Sequence, residues 1–319
     1  MWSDLALVVI GLVLLFLGGE GLVRGSVAMA TRLGLSKRVV GLTVVGFGTS
    51  SPELVVSLDA ALRESPEIAL GTVIGSNVAN GLLILGLAAA ARPLSGWRRG
   101  VLRDALVAVL VALALVGLVH GPTIGRIEGL ALLLTLAAYL AASYWIEARG
   151  VTPAVDEAEA DAITNRLQRR LPVAVVATLA GIGLVMLGAD LLVQGAVSIA
   201  RDLGVGEAAI GLSLVAVGTS LPELAAVLVA ALRRHTDLVL GSVIGSTIFN
   251  GLGILGATAV VHPIAVAPRF RDFDALVVLA VGAALLFALV AAPRIGRASG
   301  AAMVGLYALY LGAVYAIAG

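Results

Sequence analysis

The 319-residue chain contains no cysteine, which excludes a disulfide framework and any thiolate-held metal. Charge is also scarce: 13% of the residues are ionisable Asp, Glu, Lys or Arg, about half the share a soluble chain carries. Lys37 is the single lysine, the other basic residues are arginine, and the formal net charge is +1. Aromatic residues make up only 4%. With no basic patch interleaved with aromatics, a nucleic-acid surface is not expected. The N-terminal Met1-Trp2-Ser3-Asp4 lacks a basic n-region and the apolar run behind it is too long for an h-region, so no cleaved signal peptide is expected.

What is abundant is apolar surface. Hydrophobic residues reach 60% and the mean hydropathy is +1.07. No water-soluble domain of this size needs so much, so the chain is expected to be an integral membrane protein within a lipid bilayer. A helical crossing takes about 20 apolar residues, and ten stretches qualify: roughly 5–30, 39–62, 67–91, 104–120, 124–146, 172–200, 207–232, 237–261, 274–292 and 299–318. The only long polar stretch, about 147–171, reads as a solvated linker between two halves.

Those halves are copies. GLTVVGFGTSSPELVVSLDAAL from Gly41 is matched by GLSLVAVGTSLPELAAVLVAAL from Gly211, and GTVIGSNVANGLLILG from Gly71 by GSVIGSTIFNGLGILG from Gly241. Each match is offset by 170 residues, as are Gly18, Glu20 and Gly25 from Gly188, Asp190 and Gly195. Five spans per half is odd, so the second copy enters the membrane from the opposite side. The expected fold is an all-α membrane protein of ten transmembrane helices in two inverted-topology five-helix repeats: 1–146, a cytoplasmic linker 147–171, and 172–319. Placing the N-terminus outside puts fifteen basic residues in cytoplasmic loops against five outside, which favours that orientation. Both termini are then external.

Pro52 and Pro222 fall mid-span, with Gly46, Gly48 and Gly218 just upstream, and Asn80-Gly81 and Asn250-Gly251 weaken the following spans. Interrupted helices at membrane depth are tolerated only where the freed carbonyls face protein or a wet cavity, and in inverted-repeat transporters such interruptions form the ion site. Beside each proline stands an acid, Glu53 or Glu223, at a cost of roughly 2.5–3.5 kcal/mol in a span centre. A protonated glutamate bonded to a neighbouring helix is the bland alternative, less compelling for two acids in matched GTSxPE contexts. Around them are only hard donors: Thr49, Ser50, Thr219 and Ser220, with Ser76 and Asn80, and Ser246 and Asn250, sharing helical faces at i, i+4. Any one hydroxyl alone would be read as bonding its own backbone; the paired set is read as ligands. Oxygen donors with two carboxylates suit calcium and disfavour zinc or copper.

These motifs, GTSSPEL with GSNVAN and GTSLPEL with GSTIFN, resemble the two alpha-repeats of the sodium/calcium exchanger family within the calcium/cation antiporters, and the likeness covers nearly the whole chain. The resemblance implies that Glu53 and Glu223 bind both ions, with the carbonyls of Thr49 and Thr219 joining them on calcium. It also implies sodium sites at Ser50, Ser220, Ser76, Ser246 and the carbonyls of Gly46 and Ala216. Where several prokaryotic relatives carry aspartate, this chain has Asn250, one titratable group fewer, which argues against potassium- or proton-coupled variants.

The expected activity is secondary antiport of sodium for calcium in a prokaryotic inner membrane, electrogenic if a further sodium binds, with no cofactor, no enzymatic chemistry and no need of more than a monomer. Proton/calcium or manganese antiport is the alternative on the same fold; a passive cation channel and an intramembrane enzyme are rivals of other classes. Glu20 with Arg24, and Asp190 with Gln194, are read as local or interfacial pairs, with a gating role as alternative. Asp59 with Arg63 is read as a snorkelling pair. His120, His235 and His262 are placed in loops without chemistry, and Gly181, Gly183 and Gly188 are assigned to close helix packing.

Overall fold

The structure is a computed structural model and describes residues 2–97, 99–149, 170–203 and 218–318. Long apolar helices dominate it. They are α1 (Trp2–Leu33), the bent pair α2 (Lys37–Thr49) and α3 (Ser51–Leu62), α4 (Pro66–Ala91), α5 (Arg99–Leu118), α6 (Arg126–Arg149), α7 (Leu171–Asp202), α8 (Leu221–Leu232), α9 (Thr236–Val261), α10 (Phe270–Ala291) and α11 (Arg297–Ala318). Among the described residues eight helices are long and apolar enough to cross a membrane, and nine if α2 and α3 form one span bent by 44°. The expected span 207–232 is described only from Gly218 onward, and most of the linker 147–171 lies outside the described residues.

Burial divides the helices into inner and outer sets. The most apolar window of α9 is 89% buried and that of α4 is 72%, whereas that of α11 is 17%. The polar motif residues of α4 and α9 therefore lie in protein, not lipid. Large apolar side chains such as Leu70, Ile74, Leu240, Ile244 and Ile248 fill the space between the two inner helices and their neighbours.

The outer helices α1 and α7 pack along each other through glycine. A Cβ on Gly11 would stand 2.7 Å from the Gly188 carbonyl oxygen, and one on Gly188 would stand 2.8 Å from that of Gly11. Without a hydrophobic driving force between helices in lipid, such close approach of backbones is what dispersion needs. Gly181 is packed in the same seam; Gly183 is not, since a Cβ there would meet nothing within 4 Å.

Two short antiparallel pairs tie the halves together. β1 (Leu94–Ser95) pairs with β4 (Arg294–Ile295), and β2 (Thr123–Ile124) pairs with β3 (Ile264–Ala265). In each half, the loop between the third and fourth long helices meets the loop between the last two helices of the other half. The bundle thus has a β1–β4 end, near Arg38 and Arg233, and a β2–β3 end, where residues 262–265 meet Ala61, Glu64 and Pro66.

Candidate functional site

The helix breaks fall one or two residues before the prolines. Ser50 (φ −82°, ψ 9°) and Ser220 (φ −90°, ψ 2°) leave the helical region, and Pro52 and Pro222 sit in the first turn of the helices that follow. There the missing N–H is harmless and the fixed φ starts the new helix. Glu53 and Glu223 come next, within the first turns of α3 and α8, where the helix dipole favours a negative charge. The carbonyl end of α2 points toward the same spot from the other side of the break.

The two halves meet there by exchanging hydrogen bonds. Ser50 Oγ donates to Glu223 Oε1 at 2.8 Å, and Ser220 Oγ donates to Glu53 Oε1 at 3.5 Å, a longer and weaker contact. Both glutamates are buried, as are Thr49, Ser50 and Ser220. Thr49 Oγ1 donates to its own helix, to the Val45 carbonyl at 3.0 Å.

The inner helices close the site above and below. Asn80 and Asn250 lie in matched π-helical stretches, Ala79–Ile84 and Phe249–Ile254, again 170 residues apart. A π-turn leaves a backbone carbonyl outside the usual ladder, and such turns concentrate at functional sites. The sequence signal was the Asn-Gly pair, expected to weaken the helix; it widens it instead. Ser246 Oγ donates to the Gly46 carbonyl at 3.2 Å. That bond shows α9 directly against the end of α2. Ser76 is buried on α4, and Thr219 is partly exposed. Ala216, the expected counterpart of Gly46, lies outside the described residues.

Five polar atoms of the two acids and the two asparagines are buried without a hydrogen-bond partner among the described residues: Glu53 Oε2, Glu223 Oε2, Asn80 Nδ2, and Asn250 Oδ1 and Nδ2. Leaving such a group unsatisfied costs about 1–3 kcal/mol, more when charged. A cavity of about 560 Å³ reaches this place from the β2–β3 end, running past Glu67, Thr72 and Gly75 to Ser76, Thr219 and Ser220.

Several charges behave differently from the sequence expectation. Arg38, counted among solvated loop residues, is buried and ion-paired with the buried Asp104, which also takes Arg103 Nη2 at 3.1 Å. Asp274 is likewise buried, bonded by Arg269 Nε at 2.6 Å and by Tyr310 Oη at 3.0 Å. Asp104 and Asp274 are repeat mates that sequence reasoning passed over; the same 170-residue offset, applied to every acid, finds them. His235 lies in the loop as expected, at the N-cap of α9, but it is buried there, its Nδ1 3.3 Å from Lys37 Nζ. The snorkelling pair stands, with Arg63 Nε 2.7 Å from Asp59 Oδ2.

Apolar helices enclosing a polar, doubly acidic centre, with a broken span in one half and a matching acid-bearing helix start in the other, define a polytopic membrane transport protein. The comparisons place it more narrowly. The family model described as "Sodium/calcium exchanger protein" matches residues 3–145 and 173–316, and the chain belongs to that family. It is 35% identical to "Putative antiporter CaxA" of Alkalimonas amylolytica over 88% of this chain and 87% of that one. It is 28% identical to "Sodium/calcium exchanger MaX1" of Methanosarcina acetivorans, over 96% of each. Among solved structures, the sodium-calcium exchanger NCX_Mj soaked with neither sodium nor calcium superposes with a TM-score of 0.84 at 29% identity, covering 98% of this chain and 99% of that one.

Proposed function

We propose that the chain is a secondary antiporter exchanging sodium for calcium by alternating access at the Glu53–Glu223 centre. The observation that carries this is the reciprocal serine–glutamate exchange: each carboxylate is held through one oxygen by the other half, while its second oxygen is buried and unpartnered. The unpartnered side chains of Asn80 and Asn250 fit the same hard-cation guest. Family membership and the likeness to exchangers over nearly the full length support it.

The ligand assignment is the one the family resemblance implies. Calcium takes Glu53 and Glu223 with the carbonyls of Thr49 and Thr219. Sodium takes the same acids and the outlying oxygens of Ser50, Ser220, Ser76, Ser246, Gly46 and Ala216. Two bare like charges 4 Å apart repel by about 4 kcal/mol at an effective dielectric of 20. One calcium or two sodium ions neutralise two carboxylates; both loads together overcharge them. Competition for the shared acids therefore couples the fluxes, and one more sodium at the hydroxyls makes exchange electrogenic.

The architecture proposed for this cycle is ten spans in two inverted repeats, 1–146 and 172–319, joined by the cytoplasmic linker 147–171. The cross-half strand pairs support inversion: with parallel repeats the third-to-fourth loop of one half would not face the last loop of the other. Both termini are outside, so the β2–β3 end and its cavity face outward and the β1–β4 end faces the cytoplasm. The bacterial and archaeal relatives suggest a prokaryotic inner membrane. The chain acts without cofactor and is not an enzyme, in keeping with relatives named as exchangers and antiporters.

The test is calcium uptake into proteoliposomes with sodium, potassium and proton gradients imposed separately. Only the sodium gradient is expected to drive uptake, and Glu53→Gln or Glu223→Gln is expected to abolish it while the protein stays monodisperse. Near-normal flux in either mutant refutes the proposal, and uptake driven by protons alone selects the proton/calcium alternative.

A further inference from the structure

The 170-residue offset relates Glu20 to Asp190 and Arg233 to Arg63. One combination of these four is joined. Arg233, just past the end of α8, grips Glu20 of α1 with two nitrogens, its Nε at 3.0 Å from Oε2 and its Nη2 on Oε1. The mirror combination is not. Asp190 on α7 accepts from its own helix neighbour, Gln194 Nε2, at 2.8 Å, and Arg63 past the end of α3 holds Asp59 of its own helix.

Helix packing shows the same asymmetry. α1 lies along α8, so closely that a Cβ on Gly19 would come within 3.2 Å of the Ala225 carbonyl oxygen. The repeat-related pair, α7 and α3, barely touches. The cavity opens at the β2–β3 end, where Arg63 lies, and the joined pair belongs to the β1–β4 end.

We propose that Glu20–Arg233 and Arg63–Asp190 are alternating ion-pair latches: the first seals the β1–β4 end in this state, and the second seals the β2–β3 end in the opposite one. The proposal rests on the alternating-access function above. If the two related halves exchange conformations, every contact made by one half becomes a contact of the other, so making the second latch accompanies breaking the first. Each latch also has one member with an ionic partner on its own helix, ready for the open state: Arg24 for Glu20, at 2.5 Å, and Asp59 for Arg63. Release therefore leaves neither without a counter-charge on its own helix. Bidentate arginine–carboxylate geometry makes the contact specific. Arg233 remains 42% exposed, so the pair is weak enough to part during turnover.

The cysteine-free chain suits a trapping experiment. In sealed proteoliposomes, Glu20→Cys/Arg233→Cys and Arg63→Cys/Asp190→Cys are treated with a short bis-methanethiosulfonate. Both pairs are expected to join within one chain and to stop flux until reduced, although the second pair is apart in this structure. A second arm reads the state without cross-linking. Gly75 lines the cavity, and a Cβ there meets nothing within 4 Å, so Gly75→Cys is the reporter for a membrane-impermeant maleimide added outside. Adding Glu20→Gln is expected to slow its labelling roughly two- to five-fold, as loss of one half-exposed ion pair shifts a two-state equilibrium. Failure of the Arg63→Cys/Asp190→Cys pair to join, or unchanged labelling with Glu20→Gln, overturns the latches. Sodium-driven calcium uptake by the unmutated protein is measured alongside. Latches without such uptake remove the antiport reading alone; uptake without latches removes the latches alone.

Discussion

At the scale of the residue, position along a half-helix decides what each polar group does. Ser50 is the better placed of the two bridging serines, and a hydrogen bond to a charged group contributes about 1.5–3 kcal/mol. Ser50→Ala is therefore expected to weaken ion dependence of calcium uptake by roughly tenfold or more, with Ser220→Ala weaker in effect because its contact is 3.5 Å long. Equal effects of the two substitutions, measured as shifts in half-saturation, would contradict that ranking. Asp104 belongs to stability. Removing one partner of a buried ion pair costs about 3–5 kcal/mol, so Asp104→Ala, which takes the buried carboxylate from Arg38, is expected to lower the thermal unfolding midpoint by several degrees in detergent. An unchanged midpoint would show that Arg38 finds adequate compensation elsewhere.

At the scale of the element, the outer pair α1–α7 differs in kind from the inner pair α4–α9. The inner helices carry large buried side chains, Leu70 and Ile74 toward the β2–β3 end and Leu240 and Ile244 toward the β1–β4 end. The outer pair meets through Gly11 and Gly188 with little side-chain interlock at that crossing, a smooth surface along which helices can shift. Gly11→Leu forces a side chain into space that ends 2.7 Å away at backbone, which does not yield. The expected outcome is protein that still inserts but loses most of its flux, read by uptake against the amount of reconstituted protein. Flux at the unmutated level would mean that α1 and α7 part easily. The helix break at Ser50 belongs to this scale too: it places the carbonyl end of α2 and the acid-bearing start of α3 on either side of one residue.

At the scale of the whole molecule, the two strand pairs give the topology a direct test. Ser95→Cys and Arg294→Cys, paired across β1–β4, are expected to react with an impermeant thiol reagent from the cytoplasmic face only, and Thr123→Cys and Ala265→Cys, across β2–β3, from the outer face only. Labelling of Ser95→Cys and Ala265→Cys, which stand at matching loops of the two halves, from one face would rule out the inverted arrangement. A cavity open at the β2–β3 end reaches the serines of the centre. Two related halves can hold unlike conformations at once because their sequences are similar enough for either to adopt the other's, at little difference in energy.

The sequence alone determined which residues meet. Duplicated GTSxPE and GSxxxN motifs in apolar spans can bury their acids only against each other, since lipid offers an ionised carboxylate no partner; Glu53 and Glu223 were legible for that reason, as were the break sites and the helix bounds to within a few residues. Tertiary structure decided what depends on where side chains end up in space. Arg38 and His235 read as loop residues, and only the structure showed them buried, Arg38 beside Asp104 and His235 at the N-cap of α9; the Asn-Gly pairs marked weakened helices, not π-turns. Above all, the sequence relates Glu20–Arg233 and Asp190–Arg63 as equals, and only packing made one and left the other open. The repeat makes the two pairs equivalent in sequence; the contacts among helices decide which one is made.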